Sequence, residues 1–72
     1  MIYAIKCFKL NYIYFSEFDF PSTKLKSINK RVTMFNCKKD AIDMALQLTF
    51  DDFPNMYHVI KLDEEDMVNE FD

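Results

Sequence analysis

The 72-residue sequence contains no glycine. Glycine-rich loops, which bring backbone amides close to phosphate groups, therefore cannot occur in this chain. Turns must be formed by asparagine, aspartate, serine and proline, which favour turn geometry through their side chains or ring. The absence excludes enzymes that depend on a glycine-rich phosphate loop, and it narrows the choice of residues for the tight turns.

Residues that carry out acid–base or metal chemistry are also scarce. The chain has one histidine, His58, and two cysteines, Cys7 and Cys37, which lack the paired spacing of zinc sites. No nucleophile has a recognisable context beside His58, and the alternation of this histidine with apolar residues predicts a partly buried packing role. The acidic run 63–66 lacks the alternating ligands and central glycine of a calcium loop. We therefore predict a protein that is not an enzyme and uses no cofactor or metal.

Signals for export and membrane insertion are missing as well. Residues 1–10 do not read as a signal peptide, because lysines interrupt them and no small-residue cleavage site follows. No apolar run approaches the ~20 residues that span a bilayer. We predict a cytoplasmic protein in which Cys7 and Cys37 are buried, reduced thiols, with a disulfide between them as the alternative.

Apolar and aromatic residues, in contrast, are abundant. They make up 50% of the chain, and 17% of all residues are aromatic. A chain of this size buries only about 60% of the surface that its unfolded form exposes, so some aromatic side chains must stay partly exposed. A contiguous exposed patch would mark an interface, and a homodimer is one way to cover it.

The residue usage also points to a source. Phenylalanine, tyrosine, methionine, isoleucine, asparagine and lysine together account for half of the chain, and arginine occurs once. The codons of these residues are rich in A and T. This composition favours an AT-rich genome, such as that of a bacteriophage or another virus.

The clearest local pattern is a helix over residues 37–52. At 100° per residue its apolar side chains fill an arc of roughly 240°, whereas packing on one core needs a stripe of ~100°. The apolar side chains beyond this stripe lie at the two edges of the arc, with Met44 on one edge and Phe50 on the other. They require cover by a loop, which is the favoured interpretation, or by a partner.

The ends of this helix can also be predicted. Asn36 or Cys37 occupies the N-cap position, and Pro54 disfavours helical geometry in the residue before it, so the helix should stop by Asp52. Asp51 and Asp52 then lie at the negative end of the helix dipole, where carboxylates are unfavourable.

Three strands are predicted around the helix. Residues 2–15 are strand-forming, and their apolar parity switches after Phe8, which predicts one long strand bent near residues 9–11. Two short strands joined by a tight turn at Asn11 are the alternative. The second strand is predicted at 25–35, after a loop over residues 16–24, and the third at 57–62.

The acidic segment 63–72 follows the third strand. Asp63 can cap a short helix that would dock through Met67, Val68 and Phe71, with a frayed tail as the alternative. The resulting order, β-β-α-β, predicts an α+β single domain. Its small, mainly antiparallel, three-stranded sheet would pack against one main helix.

Charge is distributed unevenly along the chain. Residues 24–39 carry six positive charges and no carboxylate, whereas residues 40–72 carry ten carboxylates against Lys61. The net charge of the whole chain is −3. The two runs can be ordinary solvated faces that neutralise each other, or they can carry the function.

The acidic half motivates the leading functional hypothesis. An anionic surface can dock on a basic site of another protein and present carboxylates where nucleic-acid phosphates would bind. We therefore predict a non-enzymatic, virus- or phage-encoded protein that inhibits a host nucleic-acid-handling or defence protein by direct contact. The residues assigned to this surface are Asp40, Asp43, Asp51, Asp52, Asp63, Glu64, Glu65 and Asp66.

The basic run motivates a competing hypothesis, in which the protein is a small regulator that binds DNA or RNA. The residues assigned to this role are Lys24, Lys26, Lys30 and Arg31. The net negative charge and the near absence of arginine count against it, since arginine is the preferred residue for phosphate and base contacts. A third alternative is a structural subunit whose exposed aromatic side chains drive self-assembly.

Overall fold

The computed structural model describes residues 1–18 and 20–68 of the chain. The elements, in chain order, are β1 (Ile2–Cys7), β2 (Tyr12–Ile13), β3 (Ser22–Leu25), β4 (Lys30–Thr33), α1 (Lys38–Asp51), β5 (Tyr57–Leu62), a 3-10 helix (Glu64–Asp66) and β6 (Met67–Val68).

The strands form two antiparallel sheets. In the first sheet β1 lies between β2 and β5, and in the second sheet β3 lies between β4 and β6. A bridge between Tyr3 and Phe35 joins β1 to the segment after β4, because each backbone amide donates to the other residue's carbonyl oxygen at 2.8 Å.

The first sheet is the middle of three layers. Successive side chains of a strand point to opposite faces. Tyr3, Ile5 and Cys7 of β1 therefore pack in a cluster with α1, while Ala4, with Ile2 beside it, packs in a second cluster with residues of the second sheet. The two clusters give this small chain a core on each face of the first sheet.

The predicted α+β class, with antiparallel strands and one main helix, is confirmed. The prediction of a single three-stranded sheet is wrong, because each of the first two predicted strands is a hairpin. For residues 2–15 the alternative interpretation is correct, since the turn before β2 closes at Asn11. The second predicted strand, 25–35, is replaced by β3 and β4, and β3 begins inside the predicted loop.

Asparagine closes both hairpin turns. Asn11 has a φ of 53° and Asn29 a φ of 54°, in the left-handed region where most residues with a Cβ atom are unfavourable. Asparagine tolerates this region better than other residues, and in a chain without glycine it takes the position that glycine commonly fills.

The helix and the third predicted strand agree with the structure. Helix α1 begins one residue inside the predicted start, with Cys37 at the N-cap, and it ends before Asp52. Strand β5 has the predicted bounds. No helix of the described ranges is long and apolar enough to cross a membrane.

The acidic segment after β5 forms less helix than predicted. Asp63 caps it as expected, its carboxylate accepting from the amide of Glu65 at 2.9 Å, but the helix is one 3-10 turn. Met67 and Val68 then pair with β3 as β6, so the short helix that Asp63 caps ends before these two residues and does not dock through them. Phe71, the third member of the predicted docking set, lies outside the described residues.

Two smaller predictions need correction. Cys7 is buried, but Cys37 is exposed at the start of α1, and both thiols are free. His58 is exposed rather than partly buried, and its ring lies 5.6 Å from that of Phe8 in an edge arrangement. Cys37 and His58 both lie at the margin of the core. The alternation of apolar residues in the sequence shows which face of an element is apolar, but it does not show how much of that face the packed elements cover.

Candidate functional site

Helix α1 contacts the first sheet through a narrow face. Ala41 and Ala45 are buried there, and Met44 and Leu48 are half-buried against the same cluster. The Met44 edge of the predicted apolar arc is thus packed within the chain.

The opposite edge of that arc lies open. Ile42, Leu46 and Phe50 are 40%, 64% and 81% exposed, and their spacing of four residues places them on one face of the helix. We call these three residues the apolar stripe. At 1.5 Å per residue the stripe is about 12 Å long. The favoured prediction that a loop covers the Phe50 edge is wrong for the described residues, and Phe53 adds a further ring that is 79% exposed.

Carboxylates line the helix beside this stripe. Asp40, Asp43 and Asp51, which we call the acidic edge, lie on the helix surface between the stripe and the packed Met44 edge, with Asp43 nearest to the stripe and Asp51 nearest to Met44. Lys39 Nζ lies 2.9 Å from an Asp43 oxygen, and this hydrogen bond raises the pKa of Lys39. The pair is solvent-exposed and contributes little to stability.

Asp52 does not belong to the acidic edge. Its carboxylate accepts a hydrogen bond from the Tyr57 hydroxyl at 2.6 Å, and the Tyr57 hydroxyl lies 2.5 Å from that of Tyr12. Because the Tyr57 proton is directed at Asp52, the Tyr12 hydroxyl donates to Tyr57. The bond to Asp52, followed by the bond to Tyr12 and burial, raises the pKa of Tyr57 far above its ordinary value. This hydrogen bond fixes the end of α1. It offsets the unfavourable position of the Asp52 carboxylate at the negative end of the helix dipole.

The acids after β5 also hold the fold together. Asp66 accepts hydrogen bonds from the amide of Ser27 at 2.8 Å and from its hydroxyl at 2.6 Å, which fixes the β3–β4 turn to the 3-10 helix. Asp63 caps that helix, and Glu64 and Glu65 are exposed.

The eight predicted acidic residues therefore do not form one surface. Strand β5, about 20 Å long at ~3.4 Å per residue, separates Asp52 from Asp63. The acidic edge lies on α1, whereas the residues from 63 to 66 lie against the second sheet on the opposite face of the first. The structure brings together Asp40, Asp43 and Asp51, and separately the 63–66 group.

The predicted basic residues all lie on the β3–β4 hairpin. Lys24 is directly opposite Arg31 in the ladder, and Lys26 donates to the carbonyl oxygen of Glu65 at 3.4 Å. Lys30 and Arg31 line a cleft to which β1 contributes Lys6. Lys6 was not among the predicted residues. The sequence does indicate the position of Lys6. Ile2, Ala4 and Lys6 occupy every second position of β1, so their side chains point to the same face of the strand.

Within residues 1–18 and 20–68, no three histidine, cysteine or acidic side chains lie in an arrangement that could hold a metal ion. Comparison with known proteins adds no functional information: no protein-family model matches the chain, and no curated protein or solved structure is significantly similar to it.

Proposed function

We propose that this protein is a non-enzymatic binding protein that contacts another protein through the outer face of α1. The observation that carries the proposal is the exposure of the apolar stripe, together with Phe53. Isolated exposed apolar residues are common, but three that recur at every fourth position are neighbours on one helix face and form a contiguous apolar surface, and an exposed aromatic ring follows them in the chain.

The arrangement fits recognition of a helix in a groove. In this mode an amphipathic helix places apolar side chains spaced by about one turn into an apolar groove of its partner. Ile42, Leu46 and Phe50 have this spacing. Phe50, the largest and most exposed of the three, is expected to contribute most, because buried aromatic anchors dominate binding energy at interfaces.

The acidic edge indicates the charge of the partner. Asp40, Asp43 and Asp51 would lie at the rim of the interface, so the partner groove should be bordered by lysine or arginine side chains. Such complementarity raises the association rate and excludes acidic partners more than it adds affinity. Basic surfaces are typical of proteins that handle nucleic acids, so a host nucleic-acid-handling or defence protein is the target class we propose for a virus-encoded inhibitor.

A different protein suits this surface better than a second copy. In a symmetric dimer the same patch occurs on both sides. Pairing α1 with itself would bring two acidic edges into one interface, and like charges that face each other disfavour association. Self-association remains a measurable outcome of the test below.

The proposal can be tested by capture from a bacterial lysate treated with nuclease, using four tagged baits. These are the wild type, the double variant Leu46→Gln with Phe50→Gln, the double variant Asp43→Asn with Asp51→Asn, and Phe18→Gln. Phe18 is 89% exposed and lies off the helix, so it is a matched control for loss of an exposed phenylalanine.

We expect one protein to be retained by the wild type and by Phe18→Gln but lost with the stripe variant. With that protein purified, the Asp→Asn variant should slow association and reduce its dependence on salt. Equal capture by the wild type and the stripe variant would refute the proposal. A wild-type dimer in sedimentation that the stripe variant abolishes would assign the stripe to self-association instead.

A further inference from the structure

Strand β5 forms an open edge of the first sheet. Within residues 1–18 and 20–68 it pairs with β1 alone, along its whole length and without a bulge. It contains no proline. Proteins usually protect an edge strand with proline, a bulge or a covering element, because unpaired backbone groups are a template for a further strand. The opposite edge, β2, has only two residues, so β5 is the longer edge of this sheet.

The hydrogen bonds of β1 show which backbone groups of β5 face its free side. The amide and the carbonyl of Tyr3 both bond to Phe35, on the side of β1 away from β5. Tyr3 and the residue opposite it, Lys61, are therefore a pair without mutual hydrogen bonds, and the backbone groups of Lys61 point outward. Because this direction alternates along a strand, the backbone groups of Val59 and Tyr57 point outward as well.

Helix α1 covers one end of this edge and leaves the rest open. The outward amide of Tyr57 donates to Thr49 Oγ1 at 2.9 Å. The outward amides and carbonyls of Val59 and Lys61 have no partner among the residues that the structure describes. Two donors and two acceptors, on alternate residues of one strand, are therefore available to another strand.

These backbone groups are complementary to a second copy of the same strand. Two antiparallel β5 strands, related by a two-fold axis at Ile60, would place Val59 of each copy opposite Lys61 of the other. Val59 and Lys61 then exchange both of their hydrogen bonds, so all the open donors and acceptors are paired. The bond from Tyr57 to Thr49 stays intact in this register, because Tyr57 is not needed for the new ladder.

The side chains of β5 fit the same register. Val59 and Ile60 are only half-buried, so each still has an open side. Ile60 would meet its own copy at the axis, which places an apolar pair at the centre of the contact. His58 would lie opposite Leu62, and Lys61 opposite Val59, so no two like charges of β5 are directly opposed. The edge is therefore complementary to itself in its side chains as well as in its backbone.

Helix α1 does not obstruct this pairing. Thr49 reaches the free side of β5, and Ile42, two turns earlier, shares its side of the helix. These sides of the two helices would face each other across the axis and cover Ile42, which is 40% exposed in the single chain. The acidic edge lies toward Met44, so the two acidic edges point away from the axis. Leu46 and Phe50 stay on the outer face of α1, open to a different protein.

We propose that two copies of this chain associate through their β5 edges into a symmetric dimer. The first sheets of the two copies join into one continuous sheet with the strand order β2-β1-β5-β5-β1-β2. The pairing occupies the β5 edge of both copies, so association closes at the dimer. This inference goes beyond the proposed function, because it uses the β5 edge and leaves the outer face of α1 open on both copies.

The test is sedimentation equilibrium of the full chain as wild type, Lys61→Pro and Lys61→Ala. Proline removes the outward amide, and its ring blocks the edge, but the pairing with β1 is kept because that amide takes no part in it. Alanine removes the same exposed side chain and keeps the amide. We expect similar dimers for the wild type and Lys61→Ala. The dissociation constant of Lys61→Pro should be about thirtyfold higher or more, because two hydrogen bonds per dimer are lost.

Amide hydrogen exchange locates the contact within the dimer. The amides of Val59 and Lys61 should exchange slowly in the wild-type dimer and faster as dilution separates the copies. The amides of His58 and Ile60, which bond to β1, should exchange slowly in both states. Rapid exchange of these two amides in Lys61→Pro would show that the variant is unfolded, and the dilution series of the wild type then decides alone.

Three results would overturn the proposal. They are a wild type that stays monomeric at high concentration, a folded Lys61→Pro that dimerises as tightly as Lys61→Ala, and a dimer in which the Val59 and Lys61 amides exchange rapidly. A monomer whose edge amides become protected only when a captured protein is added would assign the edge to a foreign strand instead.

The stripe variant separates this proposal from the proposed function. Leu46→Gln with Phe50→Gln should remain a dimer even though it loses the captured protein. Loss of capture without loss of the dimer therefore supports both proposals. A wild-type dimer with equal capture by the wild type and the stripe variant would refute the proposed function alone, and a monomeric wild type that still captures its partner through the stripe would refute the dimer alone.

Discussion

At the scale of single residues, the contact that best links sequence to structure is the series of hydrogen bonds from Tyr12 through Tyr57 to Asp52. It ties together the β1–β2 hairpin, the start of β5 and the end of α1. Tyr57 is 7% exposed, so its hydroxyl has little access to water other than through these partners. The central position of Tyr57 makes it the residue at which this connection can be tested.

Tyr57→Phe should lower the free energy of unfolding by about 1–2 kcal/mol, because two hydrogen bonds are lost. The pH dependence should change as well. Since the folded-state pKa of Tyr57 is raised above its ordinary 10.0, the unfolded chain loses this proton first as pH increases. The stabilisation from Tyr57 is therefore complete below about pH 10 and declines above it, by at most about 1.4 kcal/mol per pH unit.

Urea denaturation between about pH 7 and pH 11 measures both effects. The control is Tyr14→Phe, because the Tyr14 hydroxyl has no hydrogen-bond partner within the described residues. The wild type should lose stability faster than Tyr57→Phe in the alkaline range, while Tyr14→Phe should follow the wild type. Parallel curves for the wild type and Tyr57→Phe would contradict the assignment.

At the scale of elements, the hairpins depend on asparagine in place of glycine. Asn11→Ala and Asn29→Ala should each lower stability by about 1 kcal/mol, because alanine is strained at a positive φ. Asn11→Gly and Asn29→Gly should be neutral or stabilising, since glycine adopts this region freely. Thermal denaturation of the four variants gives the comparison, with Asn36→Ala as a control at an exposed position without a positive φ. Equal effects of alanine and glycine would mean that the side-chain amide, not the backbone, matters.

The same elements show what the sequence could predict. Helix α1 and strand β5 are predictable because each has a sustained period that matches one buried face, and Pro54 marks the end of the helix. The β3–β4 hairpin is not, because residues 25–31 alternate poorly and the turn at Asn29 lacks the glycine that usually marks such a turn. The second sheet is built on that hairpin, so it could not be inferred either. The pairing of Met67 and Val68 with β3 could not be inferred for the same reason.

The candidate sites follow the same logic. The width of the apolar arc on α1 was evident from spacing alone, but whether loops cover it depends on where the hairpins lie. The cleft could not be predicted, because Lys6 and Lys30 are distant in sequence and line the same cleft only through the packing of the two sheets. The dispersal of the acidic residues has the same origin, since β5 and the 3-10 helix carry residues 63–66 away from α1.

At the scale of the whole molecule, the side chains proposed for binding lie on the outer face of α1, whereas the side chains that stabilise the fold lie between the three layers. Helix α1 packs on the core through two buried alanines and the half-buried Met44 and Leu48, and it leaves Ile42, Leu46 and Phe50 exposed, so the apolar stripe should be dispensable for folding. Leu46→Gln with Phe50→Gln should change the free energy of unfolding by no more than about 0.5 kcal/mol for each substitution, as at other surface positions. Leu62→Ala, at a site 9% exposed in the opposite cluster, should cost about 2–5 kcal/mol.

The test is urea denaturation of the wild type and these variants in parallel. The slope of the free energy of unfolding against urea concentration should be the same for all of them. Glutamine is a good helix former, so the stripe variant should retain α1 and lose partner binding alone. A loss above about 2 kcal/mol would show that the stripe packs within the chain, which would contradict its role as a docking surface. The expected result would instead assign the apolar surplus of this small protein to recognition, because side chains that contribute neither to the core nor to solubility are available for a partner.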